Sequence, residues 1–128
     1  IICDVFQDTV ANCLVRHKSI IDVMTKIEET SARVNRAVAK SITACGCLEV
    51  NAKKQKIPNE VTLQELGAHM DTHLKGQLCA DCRDILKQEI GNHLFYLAAL
   101  CNLLDLNLYD IFLAEHDKLS TLGVYNMC

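Results

Sequence analysis

Two short cysteine motifs hold the residue types in this chain that are best suited to binding a metal ion. The sequence reads CGC at residues 45–47 and CADC at residues 79–82. Short spacings of this kind let two thiolates point at one ion, and sites with four cysteine ligands are typical of structural Zn²⁺. We therefore predict a metal site with Zn²⁺ as the first choice and an iron–sulfur cluster as the second. Its four ligands would be Cys45, Cys47, Cys79 and Cys82.

Two histidines near the second motif are additional candidate ligands. His69 and His73 stand four residues apart in HMDTH, so on a helix they would lie one turn apart. One or both could replace a thiolate in the metal site. Two alternatives stay open for the cysteines. Cys79 and Cys82 at a helix start resemble a redox dithiol, and the remaining possibility is a set of unrelated free thiols.

A polar cluster near the start of the longest apolar stretch is the second candidate for chemistry. In KQEIGNHLFYLAALCNLLDLN, residues 87–107, helical spacing puts the polar residues on one side and an aliphatic row on the other. Polar groups in a segment built for burial need partners, although a partly solvated rim is the simpler alternative. The polar side contains Glu89, Asn92, His93 and Tyr96.

Two adjacent glutamates on an earlier predicted helix could supply those partners. Glu28 and Glu29 flank its apolar stripe, and antiparallel packing would bring them towards Glu89. Carboxylates gathered in this way repel one another unless a cation lies between them. Mg²⁺ is the natural occupant of an all-oxygen site and commonly carries substrate phosphates. The alternative is that both glutamates are simply solvated.

Two segments together resemble the MazG-like all-α nucleotide pyrophosphohydrolases. They are KIEETSARVNRA, residues 26–37, and LKQEIGNHLFYLAALCNLLDLNLYDIFLAEHDKL, residues 86–119. The family carries an EExxE motif on one helix and an ExxD motif on the next. Glu28 and Glu29 match the first motif, and Glu89 matches the second. The third glutamate falls on Ala32, and the aspartate is replaced by Asn92.

The resemblance implies a Mg²⁺-dependent hydrolysis of a nucleoside triphosphate to the monophosphate and pyrophosphate. Glu28, Glu29, Glu89 and Asn92 would form its acidic site, depleted of charge relative to the family. The protein would be a homo-oligomer, either a dimer or a tetramer. Substrate contacts would come from Arg33, Arg36, His93 and Tyr96, although the arginines could equally form a solvated face. The alternative function is a non-catalytic helical module that binds a metal or responds to redox conditions. A carboxylate-bridged metal centre is less favoured, because such centres use Glu-x-x-His rather than the spacing of Glu89 and His93.

The composition favours one helical domain over residues 1–128. Half of the residues are hydrophobic, only 5% are aromatic, and there is one proline and five glycines. The net charge of −3 does not suggest a nucleic-acid surface. No apolar run has the length of a membrane span, and the N-terminus lacks the features of a signal peptide. We therefore expect a cytoplasmic protein, with residues missing before Ile1 because the chain begins without Met.

The pattern along the chain predicts an all-α, up-down helical bundle. A helix over residues 4–44, either continuous or broken near 17–19, would end at Gly46. Residues 46–82 would form a connection containing one short helix and the cysteine site. That short helix would start with a capping box at Thr62 and end near residue 74, before Gly76. The next helix would be capped by Asp81 and end near Leu104. The last would cover 108–120, capped by Asn107, and stop near Gly123. Cys13 and Cys101 would be small core residues.

Overall fold

The computed structural model describes residues 1–122 as a mostly helical protein. Helices account for 69% of it, which confirms the all-α class in general, and a small two-stranded sheet is added. The elements in chain order are α1 Ile2–Cys13, α2 Ile20–Lys40, β1 Leu48–Val50, α3 Leu63–His69, β2 Leu74–Gly76, α4 Ala80–Leu103 and α5 Leu108–Leu122.

The first long helix is broken, as the sequence suggested. α1 ends at Cys13, and Leu14 has an extended backbone. The Ser19 hydroxyl then caps α2 by accepting a hydrogen bond from the amide of Ile21 at 3.3 Å. Cys13 was expected in the core but is exposed, because it ends α1 on the outer side of the helix. Cys101 is buried, as predicted.

The connection between α2 and α4 contains a two-stranded antiparallel sheet that the sequence did not predict. We call it the hairpin, although its loop is long and contains α3. β1 pairs antiparallel with β2, and Leu48 lies opposite Gly76. Each strand has three residues, which is too short to show a recognisable alternation. The short helix begins at its Thr62 cap as predicted, but it ends at His69 rather than near residue 74, because the chain must extend to enter β2. Gly76 lies within that strand.

The start of α4 also differs from the prediction. Its cap is Cys79, whose Sγ accepts a hydrogen bond from the amide of Cys82 at 3.4 Å. Asp81 lies in the first turn, where a negative charge is favourable. The end of α4 at Leu103 agrees with the prediction, and Asn107 caps α5 by accepting a hydrogen bond from the amide of Asp110 at 2.9 Å. The predicted stop near Gly123 lies outside the described residues.

α2 and α4 form an antiparallel pair. The Thr30 hydroxyl and His93 Nδ1 are 2.8 Å apart midway along the two helices. Cys45, after α2, lies beside Cys79 at the start of α4, with 3.8 Å between their Sγ atoms. Thr30 is only 3% exposed and His93 is partly buried, so their hydrogen bond is largely shielded from water and helps to fix the register of the two helices.

Only part of the aliphatic row of α4 is buried: Cys101 is buried and Leu97 is partly buried, whereas other members are exposed. Ile90 and Leu94, both in that row, are 45% and 44% exposed. Glu89 and His93 from the polar side are instead partly covered, and His93 faces α2 through Thr30. The hydrogen bond to Thr30 supports this orientation, since a partly buried imidazole needs a partner. Much of the aliphatic row of α4 is therefore uncovered within one chain.

Gln7 of α1 holds the turn between α4 and α5. Its amide nitrogen donates to the carbonyl of Leu106 at 2.7 Å, and its side-chain oxygen accepts from the amide of Leu108 at 2.8 Å. Asn102 donates back to the carbonyl of Gln7 at 3.0 Å. Around this contact the core is small and consists of Val10, Leu14, Val23, Ala98 and Ala99.

The helix axis turns by 106° between α4 and α5. Within residues 1–122, no single helix combines the length and apolar character needed to cross a membrane; α4 and α5 meet that test only when taken together as a bent pair.

Replacing Gln7 by Ala should destabilise the fold. The carbonyl of Leu106 and the amide of Leu108 would lose their partner, and we expect a loss of about 2 kcal/mol in the free energy of unfolding. Asn12→Ala, at an exposed position of the same helix, should change it by less than about 0.5 kcal/mol. Urea unfolding followed by circular dichroism measures both, and equal effects would contradict the role of Gln7.

Candidate metal centre

Four thiols meet where the end of α2 lies beside the start of α4. Cys45 ends the turn after α2, Cys47 precedes β1, and Cys79 and Cys82 occupy the cap and first turn of α4. Their Sγ atoms all lie within 4.8 Å of one another. Within residues 1–122, no other set of three or more cysteine, histidine or acidic side chains is gathered this closely. The two sequence motifs therefore converge on one place.

A π-helical turn and a glycine position the first motif. Residues Ser41–Cys45 widen the last turn of the helix, with the amide of Gly46 donating to the carbonyl of Ser41 at 3.0 Å. Gly46 then adopts the left-handed conformation, with φ 81°, as predicted for a residue that ends a helix. The chain reverses there, which brings Cys47 back towards Cys45. Cys47 Sγ also lies 3.7 Å from the carbonyl oxygen of Ser41.

Gly76 allows β2 to approach the first motif closely. Its φ is 84°, and a Cβ at this position would lie 2.5 Å from the carbonyl oxygen of Cys47. Any side chain would therefore force β2 and Cys47 apart. Sequence reasoning missed this role, and the one trace of it is a glycine three residues before the CADC motif.

The distances between the sulfurs suit one metal ion. Four thiolates about 2.3 Å from a tetrahedral Zn²⁺ would be separated by about 3.8 Å. Cys45 Sγ and Cys79 Sγ are 3.8 Å apart. Cys45 is exposed and the other three residues are partly buried, so an ion can reach the thiols from solvent.

Hydrogen bonds within the group separate the pKa values of its thiols. The backbone amide of Cys82, followed by its side chain, lowers the pKa of Cys79 to about 7. The side chain of Cys79 in turn raises the pKa of Cys82 to about 12. Cys79 is therefore the readier of the two to ionise. A low-pKa cysteine at a helix start is also a feature of redox dithiols, so the geometry alone is compatible with that alternative.

His69 and His73 do not join the thiols. His69 is exposed at the end of α3. His73 lies at the far end of the hairpin, where its carbonyl accepts a hydrogen bond from the amide of Asn51 at 2.8 Å. Cys47 borders the opposite end, and with three residue pairs of strand between them the two lie four residue steps apart, or about 13 Å. The hairpin register therefore keeps His73 away from the cysteines.

The two glutamates of the first predicted motif do not face Glu89 across the helix pair. Glu29 is exposed and pairs with Lys26 at 3.2 Å and with Arg33 at 3.3 Å on its own helix. Lys26, and to a lesser extent Arg33, lowers the pKa of Glu29. Glu28 is also exposed. Within residues 1–122, these two carboxylates and that of Glu89 do not form a cluster able to share one ion.

Glu89 lies in a basic cleft between α2 and α4. Its Oε2 is buried and accepts no hydrogen bond from residues 1–122. The register explains this position, because Thr30 lies opposite His93 and Glu89 is one helical turn further from the glutamates of α2. The cleft has a volume of about 150 Å³ and is lined by Arg33, Arg36, Ala37, Lys40, Ile85 and Glu89.

The other residues predicted to bind magnesium or substrate lie in different environments. Arg33 and Arg36 line the cleft. Asn92, which stands where the resemblance would place an aspartate, is exposed. His93 is held by Thr30, and the ring of Tyr96 packs edge-on against that of Phe95, with centroids 5.0 Å apart. The partner of His93 was missed because a threonine on an apolar stripe does not stand out in the sequence.

Comparison with known proteins identifies no relative. No known family, curated protein or solved structure shows significant similarity to the chain. Function is therefore inferred below from the chemistry of the chain's own residues.

Replacing Gly76 by Ala should disrupt the thiol site. The added Cβ would collide with the carbonyl of Cys47 and would also occupy a left-handed backbone conformation. That strain alone costs about 1–2 kcal/mol, so we expect metal affinity to fall by at least about fivefold. Gly67→Ala in α3 meets no neighbouring atom within 4 Å and should leave the affinity unchanged. Competition with a chromophoric chelator measures both variants, and an unaffected G76A protein would refute the close approach.

Proposed function

We propose that this chain is a zinc-binding helical module in which four cysteines hold one structural Zn²⁺. The observation that carries the proposal is the separation of the four Sγ atoms, all within 4.8 Å of one another. This spacing suits four thiolates around a single tetrahedral ion. Such a ligand set is complete and leaves no open position for a substrate, which favours a structural role for the ion over a catalytic one. The ligands would be Cys45, Cys47, Cys79 and Cys82.

The same spacing favours a single ion over an iron–sulfur cluster. In a cluster, the cysteines bind different iron atoms that are separated by bridging sulfides, so the thiolates lie further apart than around one ion. Zn²⁺ imposes no geometric preference of its own and is commonly found in tetrahedral thiolate sites. A redox dithiol would use Cys79 and Cys82 alone and would not require Cys45 and Cys47 to meet them.

A bound ion would stabilise a part of the chain that has little core. Leu48 is buried, but every residue from 49 to 78 is exposed or only partly buried. The hydrophobic effect therefore contributes little to the folding of this connection. Zinc binding contributes directly, with apparent free energies of about 10–16 kcal/mol in zinc-finger peptides. The ion would tie the hairpin to the adjoining ends of α2 and α4.

Metal analysis tests this proposal. Protein purified without chelator should contain one Zn²⁺ per chain, and Co²⁺ in its place should give the charge-transfer absorption of a tetrathiolate site. Cys82→Ser should weaken Zn²⁺ binding by more than tenfold, because one of four thiolate ligands is lost. Cys13→Ser, at an exposed thiol of α1, should bind like the parent. Metal-free parent protein, or equal affinity of the two variants, would reject the site.

A second proposal is a divergent MazG-like protein that binds nucleoside triphosphates. The basic cleft favours it, because Arg33, Arg36 and Lys40 line one cavity together with Glu89. Guanidinium and ammonium groups are the usual protein partners of phosphate oxygens. The antiparallel pairing of α2 and α4 is also compatible with an up-down bundle of the MazG type.

The charge of the cleft suggests how Mg²⁺ would enter. Three cationic side chains and one carboxylate line the cavity, so a free divalent cation would meet net repulsion. A cation that is already bound to triphosphate would be neutralised and could approach Glu89. We therefore propose that Mg²⁺ arrives with the nucleotide, and that the loss of two family acids at Ala32 and Asn92 makes pyrophosphohydrolase activity slow.

Binding and pyrophosphate release separate the two parts of this second proposal. Titration calorimetry with a panel of nucleoside triphosphates, each with Mg²⁺ or Mn²⁺, should detect at least one ligand. Arg36→Ala should weaken that binding by about tenfold, the value of one lost charge-assisted hydrogen bond. Arg16→Ala, outside the cleft, should not. Glu89→Gln should abolish pyrophosphate release while binding persists. A panel without any ligand would exclude the nucleotide proposal and leave the zinc proposal unaffected.

A further inference from the structure

A run of lysines follows β1 and lies at the end of the hairpin that is away from the thiols. Lys53, Lys54 and Lys56 stand close together in the chain, and all three are exposed. None of the ion pairs formed within residues 1–122 includes them. Ammonium groups gathered in this way repel one another unless a negative charge lies between them. The hairpin end therefore carries a concentrated positive charge that would attract an anion.

Gln55, within this run, is bound to the chain that enters β2. Its Nε2 donates to the carbonyl of Asp71 at 2.7 Å, and its Oε1 accepts from the amide of Asp71 at 2.9 Å. A side-chain amide that makes two hydrogen bonds to one backbone residue holds the two segments in a defined geometry. The fold therefore positions the lysines on either side of Gln55 against residues 71–73.

His73 contributes a buried nitrogen without a partner at the same place. Its Nε2 is buried and makes no hydrogen bond within residues 1–122. The backbone of His73 lies in the left-handed region, with φ 60°, and its amide donates to Asp71 Oδ1 at 3.0 Å. A polar atom that is shielded from water needs a hydrogen-bond partner to offset its lost hydration. A ligand that reaches Nε2 would supply that partner.

The lysines and His73 line one small cavity with a volume of about 150 Å³. A water molecule takes up about 30 Å³ of the liquid, so the cavity has room for a tetrahedral anion of five heavy atoms. Three ammonium groups and one carboxylate surround it, so positive charge is in excess. The carboxylate, that of Asp71, is engaged by the amide of His73. The lining residues are Lys53, Lys54, Gln55, Lys56, Asp71 and His73.

We propose that this cavity binds the phosphate group of a small phosphate monoester. Lysine is a common protein partner of phosphate, and each ammonium group would donate a charge-assisted hydrogen bond to a phosphate oxygen. With its proton on Nε2, the imidazole of His73 would donate to a further oxygen and gain the partner that it lacks. The cavity shares no residue with the thiol site or with the basic cleft, so it is separate from both earlier proposals.

The organic part of such an ester has space beside the lysines. A second cavity, of about 540 Å³, shares Lys54, Gln55 and Lys56 with the first and adds Ile57 and Pro58. A ligand larger than phosphate can therefore continue past the lysines onto a surface that includes apolar side chains.

A nucleic acid fits this place less well than a single phosphate group. Proteins bind polyanions with cations that are spread along one face and that neutralise several phosphates in sequence. Here the three lysines line one cavity, and the exposed acidic residues Glu60 and Glu65 follow in the same connection. The charge is therefore concentrated at one point rather than extended along a surface.

Titration of the full chain with inorganic phosphate and with glycerol phosphate, followed by ¹⁵N–¹H NMR, tests the site. Both ligands should shift the amide signals of residues 53–56 and 71–73 in a saturable way, and the ester should also shift that of Ile57. Sodium chloride at the same ionic strength should not reproduce the shifts. An unchanged spectrum, an equal response to chloride, or binding of inorganic phosphate without the ester would overturn the proposal.

Substitutions at exposed lysines test the same site without disturbing the core. Lys54→Gln should weaken binding of glycerol phosphate by about tenfold, because one charge-assisted hydrogen bond is lost. Lys18→Gln, at an exposed lysine before α2, and Arg36→Ala, in the basic cleft, should bind the ester at these residues like the parent. His73→Gly removes the ring where the backbone suits glycine, so it should also weaken binding while the other NMR signals stay in place. A K54Q or H73G protein that binds like the parent would overturn the proposal.

A single-stranded oligonucleotide provides the last comparison. It should bind no more tightly than glycerol phosphate. Binding at residues 53–56 that is tenfold tighter and that weakens steeply with salt would replace the phosphate site with a nucleic-acid contact and overturn the proposal.

Discussion

The hydrogen bond between Thr30 and His93 marks the register of α2 and α4 on which both candidate sites depend. It joins α2 and α4 at one point midway along their antiparallel contact. In one direction from this point, the end of α2 meets the start of α4, and the four thiols converge. One turn from it, Glu89 lies among the basic residues of α2. The Thr30 hydroxyl also lies within hydrogen-bond distance of the carbonyls of Lys26 and Ile27 on its own helix, and a directional polar contact to His93 adds to the register specificity of the aliphatic packing.

The sequence predicted the parts of the fold that depend on local chemistry. The Gly46 terminus, the Thr62 cap and the Asn107 cap each follow from the preferences of single residues, whereas the break between α1 and α2 was one of two open alternatives. The convergence of CGC and CADC followed from one assumption, that the helices carrying them are antiparallel. The hairpin could not be predicted in the same way. Its strands are three residues long, and the requirement for Gly76 comes from a carbonyl 29 residues earlier in the chain.

The acidic site shows a different limit of sequence reasoning. The two helices that carry Glu28, Glu29 and Glu89 do pack against each other. Small differences in helical phase nevertheless decide whether these carboxylates meet. The inward row of α2 passes through Val23 and Thr30, so the adjacent glutamates turn outwards and one of them pairs with Lys26 and Arg33. A 100° step per residue means that an error of one position moves a side chain from the contact to the solvent. Only the partner helix determines that phase.

The small core gives the zinc proposal its physical importance. Five buried residues, three of them alanine or valine at 0% exposure, form the cluster around which α1, α2 and α4 pack. Small domains that bury little apolar surface usually need a metal, a disulfide or a partner to be stable. The cysteines of residues 1–122 are all free thiols, so disulfides contribute nothing there. A metal at the start of α4 would stabilise the region that the core does not reach, because it would join the ends of α2 and α4 to the two strands between them.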